Sequence, residues 1–183
     1  KEALLTGIQL YPKNTTILDG LMQFYTAEEG VGDPAELVEM IENSLKDDPT
    51  NYDLWFGRGR VYNALKNYDE CVASFMKCAE LRPTEYEPNF YTGYFIIEKA
   101  NALLAEVNSR TDVEDYDAEV KKVDLVFAQA IEWLEKAHQI NPSHLDSVTC
   151  LRQLCFRLRD MDGMMDKYNK YRCGNLYTSH QHQ

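Results

Sequence analysis

The sequence predicts an all-α fold, built from antiparallel helix pairs that repeat along the chain. Four prolines follow helical stretches in similar contexts: Pro12, Pro49, Pro83 and Pro142. Between them, apolar residues recur at the spacing of an amphipathic helix rather than with the alternation of a strand. The separation of Pro49 from Pro83 matches a repeat period of about 34 residues, which accommodates two helices and a turn. Each repeat is therefore predicted to be one helix hairpin.

The composition and charge of the chain limit the classes of function that it can have. The chain has 183 residues, 44% of them apolar, which is enough to form a packed core. Thirty acidic against 19 basic residues give a net charge of −11, so the surface repels nucleic acid and anionic membranes. There is no apolar run of the roughly 18 residues that membrane insertion needs. The five cysteines form no Cys-x-x-Cys pair, and we interpret them as small buried side chains.

The best copy of the repeat covers residues 52–85. Small and bulky side chains occupy fixed positions in it: Trp55, Gly59, Tyr62, Cys71, Phe75, Cys78 and Pro83. This pattern resembles the tetratricopeptide repeat family, and the resemblance implies a right-handed α-α superhelix of helix pairs. Gly59 is expected to let the two helices of the pair approach closely. Arg58 departs from the family's leucine, which leaves the packing at that position open.

The resemblance divides the chain into a solenoid over residues 1–172 and a flexible tail over 173–183. The predicted parts of the solenoid are the second helix of a truncated repeat over 1–11, repeats over 15–49 and 52–85, an extended repeat over 86–142 and a C-terminal repeat over 145–172. Because the first repeat lacks its first half, we interpret the chain as a fragment or a processed form.

Helix starts are predicted where Ser, Thr, Asp or Asn can cap a first turn and an acidic residue follows three positions later. The pairs that satisfy this rule are Asn67 with Glu70, Thr84 with Glu87, Thr111 with Glu114 and Ser143 with Asp146. Asp33 is a further predicted cap, because Pro34 suits the first position of a helix.

The third copy is longer than the period by about 25 residues, which lie between Gly93 and Pro142. Apolar positions keep helical spacing through the insertion, so we predict two helices lengthened by about three turns each and packed as a projecting hairpin. The run Asn89–Gly93 and the Lys-Tyr-rich last helix resemble a subset of exported tetratricopeptide proteins from Bacteroidetes. That resemblance implies a periplasmic location, and a cytoplasmic one is the alternative.

In the family, the first helix of each pair lines a concave groove. The matching positions are Asp53, Phe56, Arg60 and Asn63, then Glu87, Phe90, Tyr94 and Ile97, then Asp146, Thr149, Gln153 and Phe156, with Thr16, Asp19, Gln23 and Thr26 in the first copy. Aromatic side chains near an arginine are typical of interface anchors, and packing within the superhelix is the alternative. Phe56 and Arg60 replace the Lys and Asn with which some members bind a C-terminal carboxylate, so that mode is not expected.

Catalytic motifs are missing from the sequence: it has no glycine-rich phosphate loop, no His-Glu-x-x-His and no Gly-x-Ser-x-Gly. We therefore predict a non-enzymatic scaffold, without cofactor or metal, that binds a protein or peptide through the groove, the hairpin or both. One alternative is a homodimer formed through the hairpin. Another is a glycan or small-molecule receptor that uses some of the 12 Tyr and 2 Trp as platforms.

Overall fold

The computed structural model describes residues 34–111 and 115–173, together with eight positions nearer the start: Ala3, Thr6, Gly7, Thr16, Ile17, Gly20, Leu21 and Gln23. The helices with defined bounds are α1 (Pro34–Asp47), α2 (Tyr52–Ala64), α3 (Tyr68–Leu81), α4 (Tyr86–Ser109), α5 (Tyr116–Ile140), α6 (Leu145–Arg157) and α7 (Met164–Cys173). No strand occurs in the described part of the chain, so the predicted all-α fold is confirmed. The predicted cap at Asp33, most of the segment 1–33 and the tail after residue 173 lie outside the described residues.

Within each of two parts of the chain, α1–α3 and α4–α7, helices that follow one another in sequence pack together. The pairs α2–α3, α4–α5 and α6–α7 form hairpins, α1 packs on α2, and α5 packs on α6. The chain divides into two compact units, Lys1–Pro83 and Thr84–Gln183, each with its own set of internal contacts.

The core of the first unit is a cluster of aliphatic side chains: Leu21, Leu37, Ile41, Leu45, Leu54 and Val61. A Cβ atom added to Gly59 would lie 2.7 Å from Cε2 of Phe75, closer than carbon atoms pack. The predicted reason for a glycine at this position, close approach of α2 to α3, is therefore confirmed. Cys71 and Cys78 are fully buried and unpaired on α3, as their small size suggested.

Arg58 joins three helices of the first unit, although it is only 8% exposed. Its guanidinium lies 2.8 Å from an oxygen of Glu42 on α1 and 2.7 Å from an oxygen of Glu70 on α3. It also donates to the Ser74 hydroxyl at 2.7 Å, and it stacks on the Tyr62 ring with Cζ 4.6 Å from the ring centre. The position that the family fills with leucine is thus filled by a paired and hydrogen-bonded cation.

The second unit repeats the close contact of the first. A Cβ atom on Gly93 would lie 2.7 Å from Cγ of Leu134 and 3.1 Å from the carbonyl oxygen of Ala130. The helices of this pair are long: α4 has 24 residues and α5 has 25, against 13 in α2 and 14 in α3. Both helices of this pair are therefore longer than those of the first unit, whereas their assignment to an extended repeat and their projection beyond a stack stay predictions.

The last helix is held to α5 by a polar cluster. Nζ of Lys167 lies 2.7 Å from both carboxylate oxygens of Glu135, and the Tyr171 hydroxyl donates to the same carboxylate at 2.7 Å. Burial acts to raise the pKa of Glu135, but the hydrogen bonds from Lys167 and Tyr171 outweigh it, so the pKa lies below its ordinary value. The cluster fixes α7 against the long helix pair.

Of the four cap residues predicted within the described part of the chain, the structure confirms one and contradicts three. The side chain of Asn67 accepts from the backbone N–H of Glu70 at 3.3 Å, as predicted. Thr84 and Ser143 were wrong by one residue, because α4 and α6 are preceded by Glu85 and His144 as cap residues. Thr111 was also wrong: Asp115 caps α5 by accepting from the N–H of Ala118 at 2.9 Å.

The wrong cap at Ser143 is explained by the turn that Pro142 begins. In two such turns the cap is two residues after the proline, and its N–H donates to the carbonyl before that proline: Asn51 to Asp48 at 3.2 Å and His144 to Asn141 at 3.1 Å. The residue directly after the proline is thus inside the turn and is not available as a cap.

Candidate functional site

An open cleft of about 450 Å³ lies between α4 and α6 in the second unit. Its lining consists of Phe90, Tyr91, Tyr94, Asp146, Thr149 and Cys150. Three of these six side chains are aromatic and one is a carboxylate. Ligand sites commonly combine a mostly apolar wall with a few polar groups in this way.

The α4 wall of the cleft follows from helical periodicity. Phe90 and Tyr94 are four residues apart, so they lie on the same face of α4. Thr92, on the opposite face, is fully buried, and Gly93 beside it contacts α5. Because that face packs inside the helix pair, the rings of Phe90 and Tyr94 lie at the surface of the pair. The Tyr94 side chain is 37% exposed.

Neighbouring rings hold the aromatic wall in place. The ring centres of Phe90 and Tyr94 are 5.9 Å apart, and Tyr94 meets Phe95 edge-on at 5.2 Å. The imidazole of His144, at the start of α6, packs edge-on against Phe90 at 4.7 Å. These offset and edge-to-face contacts are the favoured geometries for aromatic pairs, so little ordering is left to occur on binding.

The α6 wall consists of Asp146, Thr149 and Cys150, and His144 caps the start of this helix. Nδ1 of His144 accepts from the N–H of Ser147 at 3.4 Å and lies 2.8 Å from the Ser147 hydroxyl, which fixes the ring as a cap. Oδ2 of Asp146 is 3.9 Å from Nε2 of His144, which is too long for a hydrogen bond. The Asp146 side chain is 77% exposed and stands at the rim of the cleft.

Several groove residues predicted from the sequence therefore lie together. Phe90, Tyr94 and Thr149 all line the cleft, and so does Asp146. The other predicted positions in this unit lie outside the lining: Glu87 and Gln153 are exposed, Ile97 is half-buried, and Phe156 is 51% exposed with its ring 5.5 Å from Tyr168. A binding role for any of these residues stays a prediction.

The predicted positions of the first unit are more closely tied to its own packing. Phe56 is half-buried, stacks on Tyr52 at 5.9 Å and meets buried Phe75 edge-on at 5.3 Å. Asp53 lines a separate polar cavity of about 330 Å³ together with Arg82. Arg60 is exposed and Asn63 is half-buried. For Phe56, the contacts favour the packing alternative over a role as an interface anchor.

Two residues of the cleft were not predicted from the sequence. Tyr91 is next to Phe90 and was not assigned to the groove, and Cys150 was interpreted only as a small buried residue. The spacing of Cys150, four residues after Asp146, was the signal that could have identified it. Burial raises the pKa of the Cys150 thiol, so at neutral pH this group is a neutral apolar part of the wall.

Other functions would need a metal site, exposed tryptophan platforms or a membrane-spanning helix. Within residues 34–111 and 115–173, no group of His, Cys, Asp and Glu side chains is arranged to hold a metal ion. Trp55 packs against the core of the first unit and donates from Nε1 to the carbonyl of Pro49 at 2.8 Å. Trp133 is half-buried, and the ammonium of Lys136 lies 4.6 Å from its ring centre. None of the described helices is long and apolar enough to cross a membrane.

The helix hairpins described above define a class of protein built from consecutive antiparallel helix pairs. Residues 52–85 match the family described as the tetratricopeptide repeat. A solved structure of MamA (MamA MSR-1 C2) is similar to the chain with a TM-score of 0.53 at 18% identity, over 95% of this chain and 84% of that one. The chain thus has the fold of tetratricopeptide solenoids.

Two further solved structures resemble the chain at lower scores. One is YrrB, a tetratricopeptide protein with an unusual peptide-binding site: the TM-score is 0.39 at 12% identity, over 94% of this chain and 92% of that one. The other is PilW, a type IV pilus biogenesis factor: the TM-score is 0.37 at 21% identity, over 86% of this chain and 77% of that one. A comparison with curated proteins finds no significant match.

Proposed function

We propose that the chain is a protein-interaction scaffold and that the cleft between α4 and α6 binds an extended segment of a partner protein. The observation that carries this proposal is the aromatic wall formed by Phe90, Tyr91 and Tyr94, which faces an open cleft instead of a core. Helix-pair repeats present such surfaces to partner proteins, and a match to the tetratricopeptide repeat family supports the same use here.

The dimensions of the cleft suit a peptide. A volume of about 450 Å³ accommodates a few side chains and is within the usual range for ligand sites. Because the rings already pack on one another, binding would add apolar contact without ordering flexible side chains. Tyrosine and phenylalanine in this situation are typical of the residues that contribute most to binding energy at interfaces.

The proposal is tested by removing one ring from the cleft. In Tyr94→Ser, the partner captured from cells that express the full chain should be lost, while the circular dichroism spectrum and the melting temperature stay close to those of the unchanged protein. Tyr116→Ser is the matched control, because Tyr116 is a 49% exposed tyrosine in the same unit that does not line the cleft. Retention of every partner by Tyr94→Ser, or equal loss in both variants, would show that the cleft is not the binding surface.

The finer resemblance to exported proteins of Bacteroidetes stays part of the proposal. It is supported by the lengthened helix pair α4–α5 and by the Lys-Tyr-rich helix α7. Cell fractionation of the native host, with the full-length gene product as antigen, tests the periplasmic location. Recovery in the cytoplasmic fraction would contradict it.

A further inference from the structure

We infer that the cleft between α4 and α6 selects a peptide whose anchoring residue is a lysine or an arginine. This inference rests on the proposed function and goes further, because it names the chemistry of the bound segment. The long apolar stem of such a side chain would pack on the aromatic wall, and its cationic end would reach the Asp146 carboxylate at the rim.

Within the stretches that line the cleft, residues 86–94 of α4 and 145–150 of α6, every charged residue is acidic. From Tyr86 to Glu98, the only charged residues of α4 are Glu87 and Glu98. In α6, Asp146 is the only charged residue before Arg152. A cationic side chain is therefore attracted by the local charges as well as by the net charge of −11, whereas an acidic peptide is repelled by both.

The Asp146 carboxylate is placed to accept a partner. The structure gives it one ionic contact among the described residues, to Nε2 of His144 at 3.9 Å, which is beyond hydrogen-bonding distance. The carboxylates of Glu70 and Glu135, in contrast, have cations at 2.7 Å. A lysine or arginine from a partner would give Asp146 the charge-assisted hydrogen bond that the other two acids already have.

The aromatic wall adds a second interaction that favours a cation. A positive group over the face of a tyrosine or phenylalanine ring is attracted by the negative charge of the ring face. This chain already uses that contact elsewhere: Cζ of Arg82 lies 3.7 Å from the ring centre of Tyr52, and Nζ of Lys136 lies 4.6 Å from that of Trp133. A purely aliphatic side chain would fill the cleft without using either the rings' charge or Asp146.

The experiment begins with the full chain immobilised and a displayed library of random dodecapeptides. Peptides selected by the unchanged protein are synthesised, labelled with fluorescein and titrated by anisotropy against Tyr94→Ser and Asp146→Asn. The inference predicts that Lys or Arg is enriched at one position of the selected peptides. It also predicts that Asp146→Asn weakens their binding by about two- to fivefold, as expected for one largely exposed ion pair.

Charge reversal separates a local contact from a general effect of net charge. A second selection with Asp146→Lys should enrich Asp or Glu at the anchoring position. Asp162→Lys is the matched control, because it makes the same change in net charge at an exposed position in the turn between α6 and α7, outside the cleft lining. The control should still select Lys or Arg.

The outcomes distinguish failure of the inference from failure of the proposed function. Peptides that depend on Tyr94 but show no enrichment of basic residues, or that bind Asp146→Asn and the unchanged protein equally, overturn the basic anchor and leave the cleft as the binding site. If no selected peptide depends on Tyr94, both the proposed cleft and its basic specificity are wrong.

Discussion

The contact between Gly93 and Leu134 offers the sharpest test of how the long helix pair is built. In Gly93→Ala, the new Cβ atom would lie 2.7 Å from Cγ of Leu134, and 3.1 Å from the carbonyl oxygen of Ala130. Carbon atoms pack at about 3.5–4.0 Å, so α4 and α5 would have to separate by roughly 1 Å. The Leu134 side chain is fully buried, and the Ala130 oxygen belongs to the backbone, so neither can move aside easily.

The expected loss follows from two opposing effects. Overpacking of a tight core contact costs about 1–3 kcal/mol, and here the upper half of that range applies because a backbone atom is involved. Replacing glycine by alanine within a helix recovers about 1 kcal/mol of helix propensity. Gly93→Ala should therefore lower the free energy of unfolding by about 1–2 kcal/mol.

A double-mutant cycle with Leu134→Ala isolates the contact. The second substitution alone should cost about 2–5 kcal/mol, because it removes a buried leucine. In the double variant the Cβ atom at position 93 fits into the space that Leu134 vacates, so the combined loss should be smaller than the sum by about 1–2 kcal/mol. Urea unfolding followed by far-ultraviolet circular dichroism measures all four proteins.

Asn101→Ala replaces Gly93→Ala in a control cycle with Leu134→Ala, because Asn101 is exposed and lies on α4, the helix that carries Gly93. The stability losses of Asn101→Ala and Leu134→Ala should be additive. Additive losses for Gly93→Ala with Leu134→Ala, or a stabilised Gly93→Ala, would refute the close-approach explanation for this glycine.

Three further predictions follow from the polar groups and thiols. Arg58→Met, which keeps the stem but removes the charge, should destabilise the protein by about 1–2 kcal/mol in urea, since the two carboxylates it pairs with are partly exposed and can be rehydrated. The pKa of Glu135 is lowered in the folded chain, so its stabilisation is present above about pH 5 and disappears as the pH falls through the folded pKa; the stability difference from Glu135→Gln should shrink over that range. Burial raises the pKa of Cys71 and of Cys78 to about 12, so at pH 8 an aromatic disulfide reagent should label both only as fast as the chain unfolds.

Each of these three predictions has a distinct contrary result. Arg58→Met with unchanged or greater stability would mean that the buried ion pairs contribute nothing over an apolar side chain. A pH-independent difference in stability between the unchanged protein and Glu135→Gln would contradict the lowered pKa. Rapid labelling of Cys71 in the folded protein, measured by mass spectrometry at each site, would contradict its burial.

The features of the fold that were predicted from the sequence are contacts between elements that are adjacent along the chain. Gly59 and Phe75 belong to the two helices of one hairpin, so their repeated small-and-bulky pattern already specifies the contact. The lengthened pair was predicted for the same reason, because helical spacing of apolar residues continued through the insertion. The cap predicted at Ser143 was wrong because the turn after Pro142 shifts the start of α6 by one residue.

The parts that were not predicted depend on partners brought together by the fold. Arg58 looked like a departure from the repeat, since the sequence does not show that Glu42 on α1 and Glu70 on α3 meet at its guanidinium. In the cleft, Phe90 and Tyr94 were predicted because the resemblance to the tetratricopeptide family places these positions of a first helix in the groove. The part played by Cys150 depends on where α6 lies relative to α4, which periodicity within one helix does not give.

The lengths of α4 and α5 indicate where this helix pair was extended relative to the pair α2–α3. The excess of α4 over α2 equals that of α5 over α3, and each is close to three full turns of an α-helix. Gly93 is seven residues after the first residue of α4, as Gly59 is in α2, and Leu134 is six before the last residue of α5, as Phe75 is in α3, so the added turns lie beyond the close contact, at the other ends of the two helices. Removal of one turn from each helix at matched positions should therefore give a shorter hairpin with an intact base, whereas deletion of two residues from either helix would rotate its apolar face away from its partner.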